Sequence, residues 1–556
     1  MFRLNSRPAH HALLTAAYLL MTLPNLGAHT LWDMDEGVNA EAGREMLESG
    51  NWITPYYNYE IRTAKPALLY WLQAFSYMAF GVNEWAARLP SVVCGLCTVL
   101  VTYEFGRRMF SPSTGLIAAL VLASCIEFCL IAHAATPDPP LILFVTLVYF
   151  CYWSGSEGNR RWWFVPAGVF AGLAVLAKGP VGLGMPGLVI FLHLLWTRRL
   201  DKLWDSRLIS GALAFLAVAA PWYVMVTLDT KGKWLESFLM NENIRRFQNP
   251  AEGHRGPIYY HLAGLIVLTT PWSVFLLATF WHALPATRHQ DADQATADST
   301  NKYKFLIVWF FTYLIFFSLA ATKLPNYILP LYPALAILIG RLLDRWRLGD
   351  ISGPKWLAVV TWIGSLSIGI LVTAALLIVT GLVPLEIKGF RPFPALQKYV
   401  WLGLIPFLAA LAFGWLVWKG RRDDAITAYA LGAVLFLAVT AALPTVAMNE
   451  YKVPKYFAET VGLKQTEKDI RIAACGWYRH SIVFYVERRV EDIDDFQKVD
   501  QFLALPRPAY VLVPDDVWEK LSKVLTTPVR VIAKNRYDFY ARREIVVIAN
   551  EYATAP

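Results

Sequence analysis

Charge is scarce in this chain. Only 17% of its 556 residues are Asp, Glu, Lys or Arg, against roughly 25% for soluble domains. A soluble protein of this length would divide into several domains, each needing a polar surface, and there are too few polar side chains to cover them. Cysteine is scarce too. Five of the six (Cys94, Cys97, Cys125, Cys129, Cys151) lie in apolar runs, where a small, soft side chain packs well. Cys475 stands alone in the only polar region, so a disulfide scaffold is excluded. Cys94-x-x-Cys97 has neither the second pair nor the nearby His that a zinc or redox site needs. Collagen-like repeats are absent, and a composition so apolar excludes disorder. What is plentiful is hydrophobic residues, at 56%, and aromatics, at 14%. The class left is a multi-spanning helical membrane protein, because hydrocarbon forces backbone polar groups to pair within their own segment.

Thirteen apolar stretches are long enough to cross a core of about 30 Å: 10–28, 88–106, 114–132, 139–154, 163–177, 180–196, 208–227, 257–283, 304–321, 324–341, 356–383, 398–418 and 425–446. A further run at 66–80 is ambiguous, and the excess of Lys and Arg expected in cytoplasmic turns resolves it. With the N-terminus (Arg3, Arg7) cytoplasmic, alternate turns carry Arg107 and Arg108; Arg160 and Arg161; Arg198, Arg199, Lys202 and Arg207; Arg288, Lys302 and Lys304; Arg341, Arg345, Arg347 and Lys355; and Lys419, Arg421 and Arg422. The opposite short turns hold Lys178, Lys323 and a few basic residues near 390. Counting 66–80 as a span would invert this pattern, so it is read as a segment lying in or on the outer leaflet.

An odd number of spans puts the C-terminus outside. Residues 447–556 carry 17 Lys/Arg and 16 Asp/Glu. Strand-like runs at Ile470–Cys475, Ala509–Val513, Val529–Ala533 and Glu544–Ala549 alternate with helical stretches near 480–488, 494–504 and 515–525, which predicts a small periplasmic α/β domain. The chain thus divides into a transmembrane domain, 1–446, with long outer loops at about 29–87 and 228–256, and a soluble domain, 447–556. The net charge of +9 is mostly turn charge that sets topology and does not indicate nucleic-acid binding.

The first outer loop reads His29-Thr-Leu-Trp32-Asp33-Met-Asp35-Glu36-Gly37, followed by an amphipathic helix from Val38 to about Ser49 that Gly50 stops. Arg62-Thr-Ala-Lys65-Pro66 and Asn83-Glu84-Trp-Ala-Ala-Arg88 come later. Taken singly, these residues have plain structural readings: Asp35 as a helix N-cap, and Glu84 with Arg88 as an i,i+4 pair. Their grouping says more. Three carboxylates (Asp33, Asp35, Glu36) lie where a span leaves the membrane, and the same loop supplies Arg62 and Lys65. Another outer turn places Asp138 beside His133, the second long loop brings Arg245 and Arg246, and Lys323-Leu-Pro-Asn-Tyr327 ends a further span at the same level. Cations and carboxylates gathered at one interface suit a lipid phosphate whose tail stays in the bilayer.

These motifs also carry a resemblance. The Asp-x-Asp-Glu loop, Arg88-Leu-Pro-Ser91, Lys65-Pro66, Asp138 and Lys323-Leu-Pro-x-Tyr327-x-Leu-Pro resemble the GT-C glycosyltransferases of the protein O-mannosyltransferase clan over about residues 10–450. Within that clan the Trp32-Asp-x-Asp35-Glu36 loop and the thirteen-span layout resemble the bacterial aminoarabinose lipid A transferases. Thr63-Ala64 stand before Lys65-Pro66 where that branch has an aromatic residue and a Glu. The resemblance implies an all-α polytopic GT-C membrane domain and an inner-membrane location. It also implies an undecaprenyl phosphate-linked sugar donor, a lipid A phosphate acceptor, inversion at the sugar and polymyxin resistance. It assigns Asp35 and Asp138 as catalytic; Lys65, Arg62, Arg245, Arg246, Tyr327 and Lys323 as donor-phosphate ligands; and Asp33, Glu36 and Glu84 as sugar or acceptor contacts. No cofactor is required. A divalent cation near Glu84, His133 or His261 has no ligand spacing in its favour, and no oligomeric state is implied. A sister enzyme mannosylating secreted proteins would share the Asp loop. A lipid transporter would show internal repeats and midplane charges, and neither is found.

Overall fold

The computed structural model describes residues 1–2, 6–157, 161–250, 254–287, 294–351, 355–385, 391–459, 462–464 and 469–553. Of the basic residues counted for orientation, Arg3, Arg160, Arg288 and Lys388 lie outside the described residues. The fold is mainly helical, and its helices start where short polar side chains can take up free N–H groups. Helix α1 (Arg7–Thr22) is capped by Ser6, whose Oγ accepts from Ala9 N. Helix α2 (Asp35–Ser49) ends at Gly50, which takes a left-handed φ of 68°. Helix α3 is Leu68–Phe80, and α4 (Glu84–Met109) begins at Asn83, whose side chain accepts from Ala86 N. Helix α5 (Pro112–Ala123) begins at Ser111, with α6 (Ile126–Ala132), α7 (Asp138–Glu157), α8 (Phe164–Lys178), α9 (Val181–Trp196) and α10 (Arg207–Asp229) following.

Each of the thirteen apolar stretches is built as helix, though not all alike. Among the described residues eight helices are long and apolar enough to cross a membrane, and two bent pairs bring the number to ten if each pair is one span. The remaining three stretches are α1, α8 and α9, of 15 or 16 residues, or about 24 Å at 1.5 Å per residue. The bent pairs explain each other. Between α5 and α6 the chain turns by 67°, and between Tyr260–Leu268 and Trp272–Ala286 it turns by 113°. Both breaks leave backbone groups without helical partners inside an apolar layer, where each costs several kcal/mol (roughly) if unpaired. Ile126 N of one break donates to Thr270 O of the other at 3.2 Å, and the two are also joined by side chains, Trp272 Nε1 donating to Ser124 Oγ at 2.9 Å.

The turns expected on the cytoplasmic side are tied to one another. Glu104 in α4 takes Arg7 at 2.6 Å and Arg107 at 2.7 Å. Asp344 accepts from Ser111 and Thr114 at the start of α5 and pairs with Arg347, which also reaches Asp423. Basic residues spread over the sequence therefore share one end of the helix bundle, and the long loops lie at the other. There α3 is half-covered: Tyr70, Ala74 and Tyr77 are buried, whereas Phe75, Met78 and Phe80 are exposed. The helix thus has one buried face and one exposed apolar face.

The first loop adds a short hairpin, β1 (Tyr56–Tyr57) and β2 (Glu60–Ile61). The C-terminal residues form a five-stranded sheet from β3 (Arg471–Ala474), β4 (Val490–Asp492), β5 (Ala509–Pro514), β6 (Val529–Asp538) and β7 (Arg543–Asn550), ordered β4-β3-β5-β7-β6. Strands β4, β3 and β5 are parallel, and β7 and β6 run antiparallel beside them. One face is covered by helices Phe496–Leu503 and Asp515–Leu521. On the other, Ile472, Leu512 and Val547 share a core with helix His480–Val486 and with Leu31, Ala40, Tyr77, Ala86 and Ala87 of the membrane-domain loops. The α/β unit is bolted to the first outer loop through a common apolar core.

Candidate active site

Arg88 is the anchor of the Asp-rich loop. It is fully buried in α4 and its guanidinium donates to both carboxylate oxygens of Glu36 at 2.8 Å, to Leu26 O at 2.7 Å, to His29 O at 2.8 Å and to Thr30 O at 3.1 Å. Glu36 also accepts from Trp32 N and Ala135 N. Burial opposes its ionisation, but the charge and hydrogen bonds of Arg88 win and hold Glu36 down to about 2. The i,i+4 reading of Glu84 and Arg88 is corrected accordingly: Arg88 pairs with Glu36, and Glu84 takes Lys455 at 2.6 Å and the Tyr485 hydroxyl at 3.3 Å. Asp33 accepts from Ser481 N at 2.7 Å and Ser481 Oγ at 3.0 Å, and burial raises its carboxyl to about 6. The loop backbone is held as well. Thr30 N donates to Asn449, Leu31 N to Tyr485 and Asp33 N to Tyr540. Lys452 donates to Thr30 O at 3.0 Å with its ammonium 3.3 Å from the Trp32 ring centre, and burial lowers it to about 7.

Of the three clustered carboxylates only Asp35 is left over. It is exposed in the first turn of α2, with no hydrogen bond or ion pair among the described residues. It is not the N-cap, since Met34 holds that position and no side chain caps there; α2 begins three residues earlier than the predicted Val38. Tyr70 lies within electrostatic reach of Asp35, Glu242 and Arg62, which joins the loop to the feature below it.

That feature is a cavity of about 540 Å³ lined by Lys65, Lys178, Glu242, Arg246 and Tyr327 on its polar side and by Leu141, Met185, Leu188, Phe238, Phe316 and Phe317 on its apolar side. Lys178, at the end of α8, places Nζ 2.5 Å from Asp138 Oδ1 and 5.3 Å from the Tyr327 ring centre. Asp138 also accepts from Asn326 at 3.0 Å. Arg246 lies 3.1 Å from Glu242. Burial, then the nearby charges of Lys178, Arg246 and Arg62, lower Lys65 to about 8 against the pull of Glu242. Cations that repel one another at the head of an apolar trough are suited to an anion carrying a hydrocarbon tail.

The predicted site residues thus fall into groups. Lys65, Arg246 and Tyr327 line the cavity, and Asp138 reaches it through Lys178. Arg62 stands behind, donating to Tyr70 and Asn39. Arg245 is exposed and donates to Asn241. Lys323 is turned away: its ammonium caps the preceding helix, donating to Ser318 O at 2.5 Å and Ala320 O at 2.6 Å. Asp33, Glu36 and Glu84 are engaged in the mounting of the loop. Lys178 and Glu242 were not singled out. Lys178 had left a signal, as a basic residue in an outer turn; Glu242 left none. The second long loop is itself helical, with Phe238–Arg245 and Arg246–Gln248 forming one wall. Among the described residues no three His, Cys, Asp or Glu side chains are grouped to hold a metal ion; His133 and His261 bond to carbonyls of Cys129 and Leu324.

Residues 64–225 match the family described as dolichyl-phosphate-mannose-protein mannosyltransferase. The chain is 28% identical over 472 residues to an uncharacterized protein of Aquifex aeolicus, covering 84% of this chain and 85% of that one. It is 34% identical over 360 residues to the undecaprenyl phosphate-alpha-4-amino-4-deoxy-L-arabinose arabinosyl transferase of Pseudomonas aeruginosa strain UCBPP-PA14, covering 62% of each; the match spans about three fifths of that enzyme. The fold is that of ArnT from Cupriavidus metallidurans in its crystal structure with undecaprenyl phosphate, with a TM-score of 0.81 at 23% identity over 99% of this chain and 100% of that one. The apo crystal structure of the same protein gives 0.79. The chain is a multi-pass membrane protein with the fold of ArnT, and over about three fifths of its length it is similar to glycosyltransferases that use lipid-linked sugars.

Proposed function

We propose that the protein transfers 4-amino-4-deoxy-L-arabinose from undecaprenyl phosphate to phosphate groups of lipid A at the periplasmic face of the bacterial inner membrane. The observation that carries this reading is the cavity in which Lys65, Lys178 and Arg246 meet an apolar trough, a shape that fits a prenyl phosphate. An oxygen of the acceptor phosphate attacks the anomeric carbon, the bond to the donor phosphate breaks, and undecaprenyl phosphate leaves with the electron pair, inverting the centre. The cations take up the charge that develops on the leaving phosphate. The acceptor phosphate is already ionised and needs no general base, so Asp35 acts on the sugar side, orienting it or offsetting positive charge on its ring. Asp138, neutralised by Lys178 in the empty cavity, becomes available to the sugar's ammonium once the donor phosphate draws Lys178 away.

The topology that goes with this reading has thirteen crossings, with α1, α8, α9 and both bent pairs each spanning, the N-terminus cytoplasmic and the 447–556 domain in the periplasm. The shared basic end of the bundle supports it. Adding a cationic sugar to lipid A cancels negative surface charge and weakens binding of polymyxin-like peptides. The test is expression in a strain lacking its own such enzyme. Mass spectrometry of lipid A then shows pentosamine addition and the cells gain polymyxin resistance. The match of residues 64–225 to a protein mannosyltransferase family favours one other outcome: unmodified lipid A with hexose on secreted proteins would establish that acceptor instead.

A further inference from the structure

The basic end of the bundle holds a second cavity, larger than the first at about 830 Å³. It lies between helices Tyr332–Leu348, Lys355–Val379, Leu404–Trp418 and Leu276–Ala286. Its walls are aromatic, with Phe275, Trp346, Trp362, Phe413 and Trp415 among them, and among the described residues no Asp or Glu lines it. Trp415 and Trp418 expose 54% and 77% of their surface beside it, as tryptophans do at the depth of lipid headgroups.

Arg422 lines this cavity and differs from the other cations around it. Arg421 pairs with Asp424 at 2.7 Å, and Arg347 with Asp344 at 2.9 Å and Asp423 at 3.4 Å. Arg422 has no carboxylate partner among the described residues. It donates to Trp346 O at 2.7 Å and stacks 5.3 Å from the Trp346 ring centre, a hold that leaves most of its N–H groups for a ligand. Lys419, 4.6 Å from the Trp418 ring centre, likewise has no carboxylate partner among the described residues. Two uncompensated cations beside an apolar cavity, with no acid in its lining to receive an ammonium, match a negatively charged headgroup and exclude a preference for a zwitterionic one.

We infer that this cavity is a lipid site, holding an acyl chain of an anionic glycerophospholipid whose phosphate rests on Arg422 and Lys419. It lies in the leaflet opposite the donor cavity and is independent of the transfer reaction. At such basic pockets between spanning helices, the lipid ties helix ends together and adds to the stability of the bundle.

The test is native mass spectrometry of the full chain from mild detergent, titrated with phosphatidylglycerol or phosphatidylethanolamine of identical chains. The wild type is expected to hold one phosphatidylglycerol with at least about tenfold preference over phosphatidylethanolamine, which offers the same phosphate but adds an ammonium that Arg422 and Lys419 repel. The double variant Arg422→Gln with Lys419→Gln loses that preference. Ala358→Trp, which fills the cavity and leaves both cations, weakens retention of phosphatidylglycerol itself and covers the case in which the double variant does not fold. Equal retention of the two lipids by the wild type overturns the proposal, as does retention unchanged in Ala358→Trp; either result would mean annular lipid only.

Discussion

Two clusters of mixed charge sit at the same end of this molecule and are built on opposite plans. In the mounting of the Asp-rich loop the buried acids are closed on partners: Glu36 on Arg88, Glu84 on Lys455, Asp33 on Ser481. In the cavity beneath it, Lys178 closes on Asp138 and Arg246 on Glu242, and Lys65, which lines the same cavity, has no carboxylate partner among the described residues. A saturated cluster fixes geometry, because breaking it strands a buried charge. A cluster with one cation left over has charge to offer an anion. The difference separates residues that hold the site from residues that work in it, and Asp35 stands at the edge of the first, with Tyr70 in electrostatic reach of it and of Glu242 at the cavity.

The largest effect is expected at that edge. Asp35→Asn should lower sugar transfer about a thousandfold, within the range for a single positioned carboxylate, while melting temperature and undecaprenyl phosphate binding stay at wild-type values. A rate within tenfold of wild type, read by lipid A mass spectrometry, would remove Asp35 from the working set. The saturated cluster should respond in the reverse way. Arg88→Met leaves Glu36 buried and unpaired, which costs about 3–5 kcal/mol, and a thermal melt in detergent should show the fall. If the melt is unchanged, the mounting does not depend on that pair and the contrast drawn above fails.

How far this contrast could be read in advance depends on what each feature needs. The apolar stretches predicted the spanning helices because length and composition suffice for that. The short apolar, strand-like runs Ala509–Val513 and Glu544–Ala549 predicted β5 and β7 for the same reason. Strand β4 was missed: Val490–Asp492 is short and charged, and pairs with β3 only because the fold brings it there. The charged residues are the harder case. Glu36 and Arg88 are 52 positions apart, and Asp33 and Ser481 are 448 apart. Sequence grouping put Asp33, Asp35 and Glu36 together as acids at one interface, yet their distant partners decide which of them is free. Lys323 is ambiguous in sequence for a related reason. Its place just after Leu319 suits a helix C-cap as well as a phosphate ligand, and only the position of its ammonium distinguishes them.

A smaller effect is expected within the unsaturated cluster. Lys65→Ala removes one charge-assisted contact, worth about 1.5–3 kcal/mol, so undecaprenyl phosphate should bind about 10- to 100-fold more weakly. The melting temperature should hold or rise, because Lys65 is repelled by its neighbours when the cavity is empty. A drop in melting temperature equal to that of Arg88→Met would mean that Lys65 belongs to the scaffold.

The smallest effect tests the cluster's charge directly. In the empty cavity burial and the cations around it hold Lys65 at about 8, whereas a bound phosphate raises it. Binding therefore takes up a proton wherever the free lysine is neutral, and affinity is full below pH 8 and falls as pH rises through it. The sugar-linked donor is a phosphodiester whose single charge does not change in this range, so the lysine alone sets the slope. From pH 7 to pH 9 the affinity should drop about tenfold, the ratio of protonated lysine at the two values. Lys65→Arg cannot lose its proton in this range and should flatten the profile whatever its affinity at pH 7. A wild-type profile already flat to pH 9 would show that Lys65 keeps its proton without a ligand. The contrast between the two clusters would then fail, since Lys178 and Arg246 already have carboxylate partners.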